Sequence, residues 1–168
     1  MKMKGILFSI VFIFAIIVLS YSLLQPSPVQ ENFDQNKIPY KLGDFSLVNK
    51  IEGPQAMEQI RYLHGKEIPI DNAFILEYQG RNGHATVWIS ESNEEGNAEK
   101  LFRRMNGLMD NSKVYTNHKE ITIDGITLQY VYGMEMDNYY YFSGNQVIWI
   151  SLVGDKENLF LKDAIKWF

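Results

Sequence analysis

Short segments in which apolar and polar residues alternate recur along the chain from residue 44 onward, as is typical of half-buried β-strands. They predict a first strand that begins at Phe45 and six more over residues 73–79, 85–90, 120–124, 126–132, 139–142 and 146–152. Asn82-Gly83 and Asp124-Gly125 separate neighbouring segments, and such dipeptides favour tight hairpin turns. Because hairpins join antiparallel strands, we expect a mainly antiparallel sheet.

Three further segments carry apolar residues at steps of three and four, which is the spacing of one helix face. The first helix begins at Gly53-Pro54, since proline suits the first helical position. The second begins with a capping box formed by Ser92 and Glu95, and it has the clearest apolar stripe. Asp155 is placed to cap the third helix, which ends the chain.

The elements therefore follow the order β-α-β-β-α-β-β-β-β-α. This order predicts an α+β domain of two layers, with about six to seven mainly antiparallel strands and three helices. The first six elements have the split βαβ order of ferredoxin-like folds, and the last strands extend that sheet.

The first 24 residues are a nearly uninterrupted apolar block. Residues 5–24 hold no charged side chain, and a helix of 20 residues covers the roughly 30 Å hydrocarbon core of a bilayer. Lys2 and Lys4 precede this uncharged run, and the first charge after it is Glu31. The positive-inside rule then predicts one transmembrane helix over residues 1–24, with the N-terminus in the cytoplasm and the remainder of the chain outside.

A cleaved signal peptide is the alternative interpretation of this block. Residues 6–19 have the length of a signal-peptide apolar region, and Ser20 and Ser22 supply small residues for cleavage. The protein would then be secreted, and both interpretations place the folded domain outside the cytoplasm. Residues 25–43 contain three of the five prolines and predict a flexible linker, so that residues 44–168 form the extracytoplasmic domain.

Charge and cysteine content exclude several classes of protein. Beyond the apolar block the chain has 14 basic and 20 acidic residues, so we expect no nucleic-acid partner, because phosphate contacts need Lys and Arg. The absence of cysteine excludes disulfides, thiolate catalysis and a lipid-modified N-terminal cysteine. Together with the absence of an Asn-x-Ser/Thr sequon, this composition favours a protein of the prokaryotic envelope.

Residues that would carry catalysis or bind a metal are sparse. His64, His84 and His118 are isolated in the sequence, although His84 could meet Glu77 across a hairpin. The chain lacks the Gly-x-Ser-x-Gly nucleophile elbow and the glycine-rich phosphate loops. We therefore predict no catalytic residue, no metal site and no cofactor.

Aromatic residues give the strongest indication of a binding surface. Trp88 shares its strand face with Thr86 and Ser90, whereas a core tryptophan would share the face of Val87 and Ile89. Tyrosines are concentrated in the strands that follow. We predict a recognition surface formed by Trp88, Tyr130, Tyr132, Tyr139 and Tyr141. The alternative is that these aromatic residues pair across strands and only stabilise the sheet.

These observations together favour a membrane-anchored extracytoplasmic domain that acts by binding, or as an accessory subunit of an envelope complex. Its partners would be the membrane, through the N-terminal helix, and a protein or a second copy of the chain. The alternatives are an envelope enzyme with a cleft lined by aromatic and acidic residues, and a purely structural envelope protein.

Overall fold

The structure is a computed structural model that describes residues 38–64, 68–94 and 96–168. These residues belong to one compact unit, Asn32–Phe168. The predicted transmembrane helix or signal peptide over residues 1–24 lies outside the described residues, as does most of the predicted linker. Within the described part of the chain, no helix is long and apolar enough to span a bilayer.

The described residues form one antiparallel sheet of eight strands, which confirms the predicted α+β class and the antiparallel pairing. Its order is β1-β2-β3-β4-β8-β7-β6-β5, so two four-stranded meanders meet where β4 pairs with β8. The strands are β1 (Lys41–Leu42), β2 (Phe45–Glu52), β3 (Asn72–Gln79), β4 (His84–Glu91), β5 (Thr116–Ile123), β6 (Ile126–Gly133), β7 (Met136–Ser143) and β8 (Gln146–Val153).

Three helices accompany the sheet in the described residues: α1 (Pro54–His64), α2 (Asn97–Met109) and α3 (Leu159–Trp167). The predicted cap of α3 is present, since the Asp155 carboxylate accepts the backbone N–H groups of Phe160 and Leu161 at 3.2 and 3.1 Å. The start predicted for α2 is wrong, because this helix begins at Asn97, after Gly96 in the left-handed conformation. Ser92 instead accepts a hydrogen bond from the Asn97 side chain, and Glu95 lies outside the described residues.

The ferredoxin-like start and the two-layer arrangement are both wrong. Strands β2 and β3 on either side of α1 are antiparallel neighbours, whereas a split βαβ unit would make the corresponding strands parallel in direction. Helix α3 packs on one face of the sheet, and α1 and α2 pack on the other, so the domain has three layers. The third layer is needed because the central strands carry apolar residues on both faces, so helices must cover both faces of the sheet.

The face under α3 holds the largest apolar cluster. Val87 and Ile150 lie directly opposite each other on β4 and β8, and both are fully buried. The Phe160 ring of α3 packs against Phe45 and Tyr78, with centroid distances of 5.1 and 5.3 Å. The helix therefore closes the core over the centre of the sheet and over the β2–β3 side.

The opposite face holds two smaller clusters, one beneath each helix. Ala56 and Ile60 of α1 pack on β3, where Ile75 is buried. Ala98 and Met105 of α2 pack on the second meander, against Tyr140 and other buried residues. Trp88 and Trp149 are opposite each other on β4 and β8, and they lie along the boundary between the two clusters.

The folded domain begins earlier than the sequence pattern predicts. The predicted linker extends to residue 43, yet Ile38 and Leu42 are buried in the main cluster, and Lys41–Leu42 forms β1. The hydroxyl of Tyr78 donates to the Pro39 carbonyl at 2.9 Å. An isolated strand of two residues has no periodicity to detect, so these contacts follow only from the folded chain.

We expect Phe160→Ala to lower the free energy of unfolding by about 3–5 kcal/mol, because it empties a fully buried aromatic site. Trp167→Ala on the same helix is the control, and it should cost less than about 1 kcal/mol, since Trp167 is 50% exposed. Urea denaturation of both variants measures the difference. Similar losses for the two would mean that α3 does not present the face described here to the sheet.

Candidate functional site

A cleft lies between α1 and α2, above the seam where β4 pairs with β8. Its volume is about 530 Å³, within the range of small-molecule sites. Trp88 and Trp149 form part of its floor, and the facing sides of the two helices form part of its walls. Most of the lining is aliphatic, aromatic or methionine.

Trp149 is held rigidly in the floor of the cleft. Its ring stacks on Tyr140, with centroids 5.0 Å apart and planes inclined by 10°. Its indole N–H donates to Asn138 Oδ1 and to Ser151 Oγ, both at 3.1 Å. Such a side chain offers a preorganised apolar surface, which reduces the entropy lost when a ligand binds.

Trp88 is held less tightly than Trp149. It is half-buried and packs against the cluster under α1. Within the described residues, its indole N–H has no hydrogen-bond acceptor of the kind that fixes Trp149. Trp88 therefore contributes an aromatic surface and an available donor to the same site.

Methionine and leucine side chains form the walls and rim of the cleft. Met105 and Met109 come from α2, and Met136 begins β7. Leu108 and Met134 also line the cleft while remaining 64% and 67% exposed to solvent. Because methionine is flexible and polarizable, these walls can adapt to ligands of irregular shape.

The turn that carries Met134 has an unfavourable backbone conformation. Met134 and Glu135 join β6 to β7 with φ angles of 56° and 62°, a left-handed region that favours glycine, asparagine and aspartate. Conformations of this kind cost energy and occur frequently at functional sites. The turn places a methionine at the rim of the cleft, where a glycine would be conformationally easier.

Gly133 allows Tyr115 to approach the sheet beside the cleft. A Cβ atom at Gly133 would overlap the Tyr115 ring and approach the Val114 carbonyl to 2.8 Å. Tyr115 in turn packs against Trp149, with ring centroids 5.3 Å apart, and lines the cleft. The absence of a side chain at this β-strand position therefore supports the aromatic wall.

The structure separates the residues of the predicted recognition surface. Trp88 lines the cleft, as stated above. Tyr139 and Tyr141 are buried in the cluster under α3, on the opposite face of the sheet. Tyr130 packs against that same cluster, and Tyr132 is 41% exposed two positions further along β6. Trp88 and the four tyrosines therefore do not form one surface.

Tyr130 and Tyr139 form a structural pair. Their ring centroids are 5.4 Å apart, and the Tyr130 hydroxyl donates to Asp137 Oδ1 at 2.8 Å. Burial, assisted by this hydrogen bond, raises the pKa of Tyr130 to about 12. The hydroxyl is therefore neutral at physiological pH and acts as a hydrogen-bond donor.

His118, which is isolated from the other histidines in the sequence, belongs to a polar cluster in the structure. Its Nδ1 lies 2.7 Å from Asp110 Oδ1, and its Nε2 lies 3.0 Å from the Tyr140 hydroxyl. That hydroxyl donates to Asn106 Oδ1 at 2.7 Å. Burial, and then the Asp110 carboxylate, raises the pKa of Tyr140. Since Tyr140 is fully buried, this cluster fixes the end of α2 to the sheet.

No metal centre is formed by the described residues, where no group of three or more His, Asp or Glu side chains is placed to hold an ion. His84 and Glu77, the pair considered from the sequence, lie on neighbouring strands but oppose Gln79 and Thr86 respectively. The Glu77 carboxylate accepts a hydrogen bond from the Asn49 side chain at 3.2 Å.

Sequence reasoning missed Trp149, Arg104 and the methionines of α2 as parts of a site. One signal was present, because Trp149 shares its strand face with Ser151 as Trp88 does with Ser90. The sequence does not distinguish Arg104 or the methionines of α2 as site residues, because the apolar spacing of this helix is the same as in any helix that packs on a core.

Comparison of the chain with protein-family models, curated proteins and solved structures found no match.

The two neighbouring tyrosines of β7 allow a test of the polar cluster. We expect Tyr140→Phe to lower the free energy of unfolding by about 1–2 kcal/mol, because it removes the hydroxyl that donates to Asn106 Oδ1 and lies 3.0 Å from His118 Nε2. Tyr141→Phe is the matched control. Within the described residues the Tyr141 hydroxyl is buried without a partner, so its removal should be neutral or stabilising. Urea denaturation measures both, and the opposite ranking would contradict the assignment.

Proposed function

We propose that this protein is a membrane-anchored extracytoplasmic domain that binds an apolar ligand in the cleft between α1 and α2. The single observation that carries the proposal is the cleft itself, a concave site of about 530 Å³ with two tryptophans in its floor. A sealed core would bury its apolar lining completely. In this cleft, Leu108 and Met134 remain largely exposed at the rim, where a bound ligand would remove them from water.

The amphipathic character of the lining supports binding of a small molecule. Apolar walls provide most of the binding energy through the hydrophobic effect, and a few polar groups orient the ligand. Ser90, Ser151 and Arg104 are polar members of the lining. A mostly apolar lining with a few polar groups is typical of small-molecule binding sites in general. Binding alone is proposed, without a reaction.

The proposed location depends on the sequence of the first 24 residues. Their uncharged run is long enough for a transmembrane helix, and the two lysines before it favour a cytoplasmic N-terminus. The domain would then lie close to the outer surface of the membrane, where apolar molecules are abundant.

Binding can be tested with a neutral long-chain alcohol that carries a photoreactive diazirine, added to the full chain in phosphatidylcholine nanodiscs. We expect labelled peptides from α2 and β8. Trp88→Ala should weaken labelling by roughly 30-fold in apparent affinity, which is the loss of about 2 kcal/mol typical of an aromatic hot spot. Trp167→Ala, which removes a tryptophan on the other side of the sheet, should leave labelling unchanged.

Two results would contradict this proposal. One is equal labelling in the two tryptophan variants after circular dichroism has shown that both are folded. The other is labelling that is spread evenly over α3 and the cleft peptides, which would indicate general adsorption to the surface.

The membrane assignment has its own test. We expect the full chain to stay in the membrane fraction after a high-salt wash, and protease added on the extracytoplasmic side to digest the domain. A domain reached only from the cytoplasmic side would reverse the orientation. A mature N-terminus at Leu23 would show that the segment is a cleaved signal peptide and that the protein is secreted.

A further inference from the structure

Arg104 is the only charged side chain among the described residues that line the cleft. The described residues of the lining include no carboxylate, although acidic residues outnumber basic ones beyond the N-terminal block. A guanidinium group is always charged and presents several N–H donors in a planar fork. Arg104 therefore gives the described lining of this mostly apolar site a fixed positive charge.

The preceding arginine has a different environment. Arg103 donates from Nε and Nη2 to Glu99 Oε1, at 2.9 and 2.7 Å, and its side chain is 74% exposed. Successive residues of a helix point about 100° apart, which takes Arg103 away from the cleft. Arg103 thus forms an ion pair with Glu99, whereas no carboxylate among the described residues forms an ion pair with Arg104. The donors of Arg104 are thus available to a ligand.

Two of the serine hydroxyls in the cleft lining are already engaged by the protein. Ser151 Oγ donates to Asn138 Oδ1 and accepts from the Trp149 indole, and Ser151 is buried. Ser112 Oγ accepts the backbone N–H groups of Val114 and Tyr115 at 3.2 and 3.0 Å. The Trp88 indole and Ser90 are neutral, so an anionic head group would gain most at the charged Arg104, whereas an apolar chain suits the floor and the methionine walls.

On the basis of the proposed function, we propose that the ligand is a single-chain carboxylate of the fatty-acid class. Its alkyl chain would lie over Trp88 and Trp149, and its carboxylate would accept hydrogen bonds from Arg104. One guanidinium fork matches one carboxylate in charge and in geometry. A phosphate monoester carries a charge of about −1.5 to −2 at neutral pH, so one arginine would leave part of that charge unbalanced beside apolar walls.

The test uses four photoreactive probes of identical chain length on the full chain in phosphatidylcholine nanodiscs. Their head groups are a carboxylate, a phosphate, an alcohol and a trimethylammonium group. We expect the carboxylate to label the cleft peptides with about tenfold higher apparent affinity than the alcohol, and the ammonium probe to label them least. The phosphate should bind less tightly than the carboxylate.

The matched variants are Arg104→Gln and Arg103→Gln, which remove the same charge from adjacent positions. Arg104→Gln should reduce the carboxylate-to-alcohol ratio to near one while labelling by the alcohol persists. Arg103→Gln should retain the wild-type ratio. Because each ratio is taken within one variant, a smaller amount of folded protein lowers both labels alike and leaves the ratio unchanged.

Each remaining outcome overturns a defined part of the proposal. If the alcohol labels the cleft but the carboxylate has no advantage, or if both arginine variants respond alike, the fatty-acid assignment fails and the apolar site remains. A preference for phosphate would identify a phospholipid-type head group instead. If all four probes are excluded from the cleft, both the ligand class and the proposed function fail, and a polypeptide becomes the occupant to consider.

Discussion

The pairing of β4 with β8 is the contact on which the rest of the domain depends. It joins His84–Glu91 to Gln146–Val153, segments more than 50 residues apart in the sequence, and unites two local meanders into one sheet. Val87 and Ile150 meet on one face of this seam and Trp88 and Trp149 on the other. Since a non-local pairing carries a large loop-closure cost, the apolar residues on both faces of these strands provide the compensating stabilisation.

The position of the cleft follows from the same seam. Helix α1 packs mainly on β2 and β3 of the first meander, and α2 packs on β7 and β8 of the second. Each helix is therefore attached to its own half of the sheet, and the strip between them lies above β4 and β8. On the opposite face α3 closes the corresponding strip, with Phe160 fully buried. The two faces thus differ because one helix covers the centre of one face, whereas two helices flank the centre of the other.

The sequence pattern predicted the candidate site only in part. Trp88 was identified because strand alternation places it opposite Val87, and the structure does place it in the cleft. The same alternation places Tyr139 and Tyr141 on the other face, where both are buried under α3. Periodicity distinguishes the two faces of a strand, but it does not show which face a helix will cover. The sequence pattern of these strands therefore does not distinguish tyrosines of the core from residues of the site.

The sequence by itself determined the class of fold, the position of most strands and the antiparallel pairing within the hairpins, because these depend on local alternation and on turn residues such as Asn82-Gly83. Tertiary structure alone decided the β4–β8 seam, the third layer and the inclusion of Ile38 and Leu42 in the core. It also brought Arg104 of one helix into the same cleft as the tryptophans of two distant strands. Contacts between distant segments depend on the free energy of the whole packed domain, which no local sequence pattern predicts.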